Sequence, residues 1–469
     1  MRLASPVDEM LVTFAAIRAE VGIPESFPDD VLSEAERSVR EPVRPGADLT
    51  DIPFVTLDPP ESMDLDQAFH LERLLGGGFR LRYAIADVAA FVAPGGAVDT
   101  EAHRRIETAY SPDGRAPLYP PALSEAAASL LPDGPRPAVV WRIDVDEAGE
   151  TVDVAVERAL VASRAKLSYE EVQAGLENGS VDEMVGLLPE IGTVLQQAER
   201  TRGGSSLNVP AQEIVSEVDG YTLVFRMPLP VEAWNAQLSL LTGRTAARMM
   251  LSAGVGIVRT MPAPFPRDVA RLRRVAAGLG VDWPHDRTYA DLLDTVDPRR
   301  STEEAVFLQE AAVLFRGAAY TAFEGGPPPN ARHAAIAAPY AHSTAPLRRL
   351  VDRYVNEVCL ALADDHELPS WVREALPGLP EEMARGVERG NRLERTLVDA
   401  VEAAVLASVV GYEADALVID MWKRNRGEVV LKELAVIGPC DDVDELGAEV
   451  RVRLEEADVE RRTIRFTRV

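Results

Sequence analysis

The sequence has 469 residues, which is too long for one hydrophobic core and predicts roughly two to four domains. Hydrophobic residues make up 46% and charged residues 27%, as in globular proteins, and no apolar run approaches the roughly 20 residues that cross a bilayer. The first residues, MRLASPVDEM, lack a secretion-signal pattern, so we expect a cytoplasmic protein with no membrane partner. Cys359 and Cys440 are far apart and have no CxxC partner, which argues against a disulfide framework.

The formal net charge of −27 argues at first against a polyanionic substrate, because affinity for nucleic acid comes mainly from cations that meet phosphates. Only Lys166, Lys423 and Lys432 are lysines, so nearly all positive charge is arginine, whose planar fork suits phosphate. A local arginine groove inside an acidic shell can therefore still bind RNA. The alternative is that the acidity only provides solubility.

Residues 1–48 show helical spacing of apolar residues, punctuated by Pro24 and Pro28. They predict a small helical N-terminal module. It is either a helix-turn-helix-like unit or a brace for the next domain, and the sequence does not choose between them.

Residues 49–408 begin with strands and continue with helices. Two hairpins are predicted, one from Ala68 through three glycines into FRLRYAIADVAAFV, and one from Val139 to Arg164. Strands followed by helices describe a large mixed domain of the α+β class. Helical periodicity predicts helices over 181–201, 231–252, 268–279, 303–323, 346–363 and 380–408.

Residues 409–469 alternate between apolar and polar residues in several short stretches, such as GEVVLKELAVIG and AEVRVRLEEAD. Several short strands in so few residues predict a compact β-barrel of the OB type, which commonly binds single strands. A β-barrel without a ligand is the alternative.

Acidic residues cluster in the segment FVTLDPPESMDLDQAF, beside two prolines that stiffen the loop. If residues 63–67 are extended, Asp64 and Asp66 point to the same side. Converging carboxylates repel unless a cation lies between them, and oxygen ligands without nearby His or Cys select magnesium or manganese over zinc. Metal-assisted attack of water on a phosphodiester is the predicted chemistry. The alternative is an acidic, solvated turn.

Several longer stretches resemble the ribonuclease II and ribonuclease R family, whose catalytic domain is called RNB. TLDPPESMDLDQAF resembles its metal-binding segment, and IADVAAFV follows where the next strand is expected. AYSPDGRAPLYPPALSEAAASLLP, SRAKLSYEEV and YAHSTAPLRRLVDRY match three further stretches in the same order. The resemblance covers about residues 45–410 and implies an RNB-type catalytic domain, while the terminal barrel is similar to the family's C-terminal RNA-binding domain.

The resemblance implies that Asp58, Asp64 and Asp66 hold Mg²⁺, with Mn²⁺ as a substitute, and that Asp66 is the carboxylate most needed for catalysis. A position that is commonly a fourth aspartate in the family is Gln67 here. An amide oxygen can ligate magnesium but brings no charge, so this departure leaves open whether one or two ions bind.

The motif YAHSTAPLRRLVD implies that Arg348 is catalytic and contacts the scissile phosphate, where a guanidinium stabilises developing charge. Arg349 would hold an adjacent phosphate. For an arbitrary arginine pair, a solvated helix face is the alternative. Ser343, Ala345 and Leu350 depart from the family pattern but leave the cation in place.

By the same resemblance, Tyr110 and Tyr169 would stack on RNA bases. Tyr169 and Glu232 would also bind the terminal ribose, whose 2′-hydroxyl distinguishes RNA from DNA. Glu394 resembles a family glutamate near the 3′ end of the substrate. The alternatives are core packing for the tyrosines and a surface ion pair for Glu394. Leu207 replaces a common family phenylalanine, which keeps an apolar wall without stacking.

The stretch before Asp51 is too short for the paired cold-shock barrels that usually precede an RNB domain, so we expect RNA to be guided by the terminal barrel. The dispersed histidines predict no zinc site, and His342 is interpreted as structural. Nothing in the sequence demands more than a monomer. The candidate guiding cations of the barrel are Lys423, Arg424, Arg426, Arg461 and Arg462.

Together these features predict a magnesium-dependent, processive 3′ to 5′ exoribonuclease that degrades single-stranded RNA to nucleoside 5′-monophosphates. Two alternatives remain open at this point. One is an RNA-binding regulator with an impaired active site, suggested by Gln67 and Leu207. The other is a phosphodiesterase for small nucleotides, which would not need the barrel.

Overall fold

The protein combines helices and strands in the α+β arrangement predicted from its sequence. The computed structural model describes residues 7–205, 211–217, 220–293, 295–298, 300–423 and 425–469. No helix within these ranges is both long and apolar enough to cross a membrane. The helices are α1 (Val7–Glu20), α2 (Asp29–Arg40), α3 (Ala97–Arg105), α4 (Tyr169–Asn178), α5 (Leu188–Thr201), α6 (Pro230–Ala253), α7 (Pro266–Gly278), α8 (Tyr289–Leu293), α9 (Thr302–Ala311), α10 (Leu350–Ala363), α11 (Ser370–Ala375) and α12 (Leu379–Leu406). The strands are β1 (Ala47–Asp48), β2 (Phe54–Leu57), β3 (Gln67–Arg73), β4 (Phe79–Ala86), β5 (Ala109–Ser111), β6 (Gly114–Ala116), β7 (Arg136–Val145), β8 (Thr151–Val161), β9 (Ser163–Leu167), β10 (Ala211–Glu217), β11 (Gly220–Arg226), β12 (Val255–Thr260), β13 (Ala319–Glu324), β14 (Arg332–His333), β15 (Ala338–Pro339), β16 (Glu413–Lys423), β17 (Arg426–Leu431), β18 (Ile437–Asp441), β19 (Glu449–Asp458) and β20 (Thr463–Arg468).

A seven-stranded sheet in the order β1-β8-β7-β4-β3-β2-β9 is formed by strands between residues 47 and 167. Both predicted hairpins are confirmed: β3 pairs antiparallel with β4, and β7 pairs antiparallel with β8. The acidic segment connects β2 to β3 and so lies at an edge where two neighbouring strands end and begin. The sheet therefore fixes both ends of the acidic segment.

Helices α6 and α10 cover this sheet and share its hydrophobic core. Leu238, Leu241 and Met250 of α6 are buried in the same cluster as Val355 and Val358 of α10. A helix that carries polar residues on one side and buries the other can position those polar residues rigidly. Helix α6 therefore supplies a fixed wall beside the acidic segment.

The C-terminal strands form the closed five-stranded barrel predicted from the sequence, in the order β16-β17-β18-β20-β19. Val418, Val429 and Phe466 are buried in its interior. The same hydrophobic cluster includes Phe14 of α1 and Val401 of α12, so these helices pack against the barrel. Helix α1 therefore has the packing of a brace, while the division of the chain after residues 48 and 408 stays a prediction.

The helix predicted over 303–323 is wrong in its second half. Helix α9 ends at Ala311, and Gly317 adopts a φ of 85°, which a right-handed helix cannot contain. Residues Ala319–Glu324 instead form β13, which pairs antiparallel with β12. The partner strand lies about sixty residues earlier in the chain. Local periodicity cannot reveal such a distant partner.

A buried carboxylate joins α12 to the barrel. Glu402 Oε1 accepts hydrogen bonds from the backbone N–H of Ile437 at 2.9 Å and from Gln212 Nε2 of β10 at 2.8 Å. Burial raises the pKa of Glu402 to about 7, although both hydrogen bonds act in the opposite direction. The folded protein therefore binds this proton more tightly than the unfolded chain does.

We expect Glu402→Gln to stabilise the protein at pH 7.5 by on the order of 1–3 kcal/mol. Between about pH 4.5 and 7 the folded state holds more protons on Glu402, so the free energy of unfolding falls as pH rises through that window. Glutamine stays neutral and its oxygen can keep both hydrogen bonds. Urea unfolding at several pH values measures the effect. Glu388→Gln changes an exposed residue on the same helix and is the control. The same pH dependence of the unfolding free energy in wild type, Glu402→Gln and Glu388→Gln would contradict the prediction.

Candidate active site

The backbone of the acidic segment is held in place from several sides. Ser129 Oγ accepts a hydrogen bond from the N–H of Leu65 at 2.9 Å and donates one to the carbonyl of Met63 at 2.6 Å. The N–H of Ala86 donates to the carbonyl of Asp66 at 2.9 Å. Residues 62–66 belong to no helix or strand, and β3 begins at Gln67. These contacts hold the backbone on both sides of Asp64 and at Asp66, while the extended geometry considered for residues 63–67 stays a prediction.

Asp64 and Asp66 have different partners. Asp64 accepts hydrogen bonds from Arg115 Nη1 at 3.0 Å and from the hydroxyl of Tyr110 at 3.2 Å. Asp66 is 2% exposed, and its Oδ1 accepts from the N–H of Leu347 at 2.7 Å. Its Oδ2 lies 3.2 Å from Arg348 Nε but makes no hydrogen bond with any residue that the structure describes.

The loop that carries Arg348 is fixed before α10 begins. The N–H of Ala345 donates to Asp352 Oδ1 at 2.8 Å, and the N–H of Thr108 donates to the carbonyl of Arg348 at 3.0 Å. Gly243 of α6 lies against this loop so closely that a Cβ there would be 2.3 Å from the carbonyl oxygen of Ala341. Only glycine permits this close approach of α6 to the loop.

Arg349 is less available to a phosphate than the neighbouring Arg348. Its guanidinium makes a bidentate contact with Asp352, with Nε 2.5 Å from Oδ2 and Nη2 2.8 Å from Oδ1. The side chain of Asp352 is fully buried and that of Arg349 is 23% exposed. Arg349 therefore supports the loop, and its predicted phosphate contact remains a proposal.

Gln67 is held by two hydroxyl groups. The hydroxyl of Tyr83, in β4, donates a hydrogen bond to Gln67 Oε1. The hydroxyl of Ser239, in α6, donates to the same oxygen at 3.1 Å. The Tyr83 and Ser239 hydroxyls are themselves 2.9 Å apart. With both lone pairs of its oxygen occupied, the amide is poorly suited to ligate a metal in this arrangement.

One pocket of about 530 Å³ brings most of the predicted residues together. Asp66 does not line the pocket itself, but its Oδ2 lies 3.2 Å from Nε of Arg348, which does. The pocket is large enough for a nucleotide-sized ligand. Its lining includes seven residues singled out from the sequence: Asp58, Asp64, Tyr110, Tyr169, Glu232, Arg348 and Arg349, together with Gln67, Asn235 and Ser239.

Both members of the predicted sugar-binding pair line the pocket, and each has its own partner in the protein. The hydroxyl of Tyr169 accepts a hydrogen bond from Asn235 Nδ2 at 3.3 Å. Glu232 instead caps its own helix, since its Oε1 accepts from the N–H of Leu229 at 2.8 Å and from Arg226 Nη1 at 2.8 Å. Burial raises the pKa of Tyr169 to about 12, so its hydroxyl keeps its proton at neutral pH.

Tyr110 connects this pocket to a second groove of about 620 Å³. Its side chain is 51% exposed, which suits a stacking surface. Glu394 of α12 lines the second groove, not the first. Glu394 and the other predicted substrate contacts thus line different cavities that share Tyr110, and the role of Glu394 stays a prediction.

Burial dominates the electrostatics of the acidic residues. It raises the pKa of Asp58 to about 6, against the attraction of Arg348 and with reinforcement from Asp64. Burial also raises the pKa of Asp66, again opposed by Arg348. His342 is buried as well, and burial lowers its pKa, so that the neutral ring bonds the Tyr320 hydroxyl as a structural residue.

A divalent cation would fit the chemistry of these donors, although the described residues contain no preassembled group of three His, Cys, Asp or Glu. Asp66 Oδ2 is a buried oxygen without a hydrogen bond to any described residue, and the charge of Asp64 repels those of both Asp58 and Asp66. All the candidate ligands are oxygens, which magnesium and manganese prefer. Asp64 would have to exchange its contacts with Arg115 or Tyr110 to take part.

Three of the five candidate guiding cations of the barrel have a carboxylate nearby. Arg426 Nε lies 3.3 Å from Asp441, Arg461 Nε lies 3.7 Å from Asp458, and Arg462 Nη1 lies 2.8 Å from Glu20 of α1. Such exposed pairs exchange easily, so their contact with RNA stays a prediction. Leu207, Arg424 and the side chain of Lys423 lie outside the described residues.

Sequence reasoning missed Arg115, Tyr83, Asn235 and Ser239. Arg115 lies on β6, whose hairpin partner β5 carries Tyr110, and nothing in its local sequence points to Asp64. Asn235 and Ser239 are four residues apart on α6, one helical turn, and Asn235 is one turn beyond Glu232. A search for polar residues at helical spacing after Glu232 could have found both.

Two family models match the chain. One is described as the RNB domain and matches residues 47–364, which is more than half of the chain. The other is described as the RNase II-type exonuclease C-terminal S1 domain and matches residues 413–469. The second match coincides with the closed barrel.

Curated relatives include both active and inactive proteins. Ribonuclease R of Escherichia coli (strain K12) is 29% identical over 347 residues, covering 70% of this chain and 42% of that protein. A protein named inactive exonuclease DIS3L2, from Arabidopsis thaliana, is 29% identical over 369 residues, covering 70% of this chain and 34% of that protein. The chain thus spans less than half the length of these relatives.

A solved structure has the same fold. It is RNase R of Mycoplasma genitalium in complex with ribose methylated single-stranded RNA. The TM-score is 0.86 at 20% sequence identity, and the match covers 98% of this chain and 78% of that one. The likeness includes both the sheet and the barrel, since nearly the whole chain is superposed.

Proposed function

Because the chain belongs to the RNB-domain family and carries an RNase II-type S1 domain, we propose that it is an exoribonuclease that hydrolyses single-stranded RNA from its 3′ end. We further propose that it is processive and releases nucleoside 5′-monophosphates with the help of Mg²⁺, which Mn²⁺ can replace. RNA is the proposed partner of a monomeric protein without zinc. A relative over 70% of the chain is named ribonuclease R, which supports RNA as the substrate.

The observation that carries this proposal is the convergence of three chemistries on one pocket. Carboxylates of the acidic segment, the guanidinium of Arg348 and the ring of Tyr169 all line it. A cation site, a phosphate ligand and an aromatic surface are what the hydrolysis of a stacked nucleotide requires. These elements come from separate parts of the sequence, so their meeting is not a consequence of any single motif.

Asp58, Asp64 and Asp66 are the residues that would hold the metal. When bound, Mg²⁺ would lower the pKa of its water and neutralise phosphoryl oxygens. The protein contributes a rigid backbone under Asp64 and Asp66 and a buried environment that excludes bulk water. Arg348, 46% exposed at the edge of the pocket, would donate hydrogen bonds to the phosphate where negative charge develops.

Tyr169 would select RNA at the terminal sugar. Because its hydroxyl accepts from Asn235, its own proton is free to be donated to a ribose 2′-hydroxyl. Glu232 lines the same pocket and is the further sugar contact that we propose. Tyr110, which lines both the pocket and the second groove, would stack on a base upstream of the 3′ end.

A product-length experiment tests the proposal. The full chain is incubated with 5′-labelled single-stranded RNA in Mg²⁺, in Mn²⁺ and in EDTA, and 3′-labelled RNA is followed in parallel. We expect shortening from the 3′ end in either metal, nucleoside 5′-monophosphate as the first 3′-labelled product, and no turnover in EDTA. A 3′-labelled oligonucleotide as the first product would contradict an exonuclease that starts at the 3′ end.

A second candidate is an RNA-binding regulator without turnover. Two observations favour it: the amide oxygen of Gln67 is fully engaged, and a relative named as inactive is as similar as ribonuclease R. It predicts RNA binding without product in either metal. A small-nucleotide phosphodiesterase would instead cleave a dinucleotide as efficiently as a long RNA.

We expect Tyr169→Phe and Asn235→Ala each to reduce the preference for RNA over DNA by about tenfold. Phenylalanine keeps the ring but removes the donor, and alanine leaves the Tyr169 hydroxyl unoriented. We expect the same direction for Glu232→Gln. Cleavage rates on matched RNA and DNA strands measure the preference. Tyr412→Phe in the barrel is the control, and unchanged discrimination in all three variants would exclude this sugar site.

A further inference from the structure

A cluster of three arginines lies outside the pocket. Arg244 and Arg248 are one turn apart on α6, and Arg202 directly follows α5. All three face Glu150, in the turn between β7 and β8. Arg202 Nη1 is 3.6 Å from Glu150 Oε1, while Nη2 of Arg244 and of Arg248 are 3.9 and 3.7 Å from Oε2. One carboxylate thus serves three cations, and none of these distances is a hydrogen bond.

The guanidinium of Arg244 is buried and poorly satisfied. Its side chain is 5% exposed, and its Nε and Nη2 make no hydrogen bond within the described part of the chain. The same holds for Nε and Nη1 of Arg202, whose side chain is 17% exposed. Guanidinium groups only donate, and buried donors without acceptors are costly. The cluster therefore presents several N–H groups that lack an oxygen acceptor.

The electrostatics also indicate an excess of positive charge in the cluster. Burial and then the charges of Arg202 and Arg248 lower the pKa of Arg244 to about 10. The guanidinium nevertheless stays protonated at neutral pH. The buried carboxylate of Glu199 also acts on Arg202 and Arg244, so the three arginines face two carboxylates. Once the exposed Glu150 is displaced by a ligand, three positive charges against Glu199 leave a local excess of two.

We propose that Arg202, Arg244 and Arg248 form a binding site for a dianionic phosphate group. A phosphate monoester or inorganic phosphate carries about −1.5 to −2 charges at pH 7, whereas a phosphodiester carries one. The local excess of two positive charges therefore matches a terminal or free phosphate better than the RNA backbone. The arginine fork also fits the geometry of phosphate oxygens.

The site has an open edge and a closed floor. Arg248 and Glu150 are 46% and 47% exposed, while Arg244 lies beneath them. Glu150 would move aside when the phosphate arrives, because an exposed carboxylate at more than 3.5 Å is weakly held. Along α6, Arg244 lies four residues, or about 6 Å, beyond Leu240, the last residue of this helix that lines the pocket.

Titration of the full chain tests the site. Inorganic phosphate is added at constant ionic strength, with chloride as the balancing anion, and binding is measured by calorimetry. Arg248→Gln removes an exposed cation and should weaken phosphate binding at least about tenfold. Glu150→Gln removes the competing carboxylate and should increase the affinity for phosphate by about threefold or more. Arg385→Gln, a half-exposed helical arginine that also pairs with a glutamate, should leave it unchanged.

The opposite signs for Arg248→Gln and Glu150→Gln separate this site from phosphate that binds in the pocket beside Arg348. Adenosine 5′-monophosphate and a dinucleoside monophosphate without a terminal phosphate distinguish the sources. We expect the first to compete with inorganic phosphate and the second not to compete. Equal affinity in wild type and Arg248→Gln, weaker binding in Glu150→Gln, or competition by the diester would each overturn the proposal. The result does not depend on whether the pocket hydrolyses RNA.

Discussion

Asp66→Asn is expected to abolish RNA hydrolysis, lowering the rate by roughly three orders of magnitude or more, while RNA binding survives. The side chains are the same size, and the asparagine oxygen can still accept the hydrogen bond from Leu347. What is lost is the negative charge on a buried oxygen that makes no hydrogen bond to any described residue. Neither a cation nor Arg348 is then attracted to that position.

The folded state should not suffer from this change, which makes the loss of activity interpretable. Burial raises the pKa of Asp66, so a neutral amide is less costly to bury than the carboxylate. We therefore expect Asp66→Asn to melt no lower than wild type. Single-turnover hydrolysis, RNA affinity and thermal unfolding are measured together. Asp153→Asn, exposed on β8, is the control. A parallel loss of binding and hydrolysis would refute the assigned role.

Arg348→Gln is expected to lower the hydrolysis rate by about 10²–10³-fold, with RNA affinity changed much less. The side chain donates at the edge of the pocket where phosphoryl charge would develop. Arg348→Lys should recover only part of the rate, because a point charge replaces a planar fork. Arg40→Gln, an exposed arginine on α2, is the matched control.

A pH profile distinguishes this role from simple substrate attraction. Arg348 lowers the pKa of Asp58 and of Asp66 against the effect of burial. Without the Arg348 guanidinium, both carboxyls hold their protons to higher pH. The acid limb of the pH–rate profile should therefore shift to higher pH in Arg348→Gln, and by a smaller amount in Arg348→Lys. An unshifted profile with a large rise in KM and unchanged kcat would show that Arg348 only attracts RNA.

Local patterns in the sequence predicted most of the scaffold. The hairpins of β3 with β4 and of β7 with β8 follow from alternating residues on either side of turns. Long amphipathic helices such as α6 and α12 were found by their periodicity. Strand β13 was missed because its pairing with β12 is non-local, and α4, only ten residues long, was not recognised among the surrounding strands.

The site was predicted unevenly for a similar reason. Motifs in the chain identified Asp64, Asp66 and Arg348, and the structure places all three together. The contact of Arg115 with Asp64 and of Asn235 with Tyr169 depends on how a hairpin and a helix pack, which no motif encodes. The helix-capping contacts of Glu232 are local, and its position three residues into α6 could have indicated them.

The clamp formed by Ser129 has a thermodynamic consequence for ligand capture. It holds Met63 and Leu65 by one hydroxyl, so the main chain on both sides of Asp64 is already ordered in the free protein. Little conformational entropy is then lost when a cation and a nucleotide arrive, and more of the contact energy appears as affinity. A loop preorganised in this way would bind a cation at lower concentrations than a flexible loop with the same ligands.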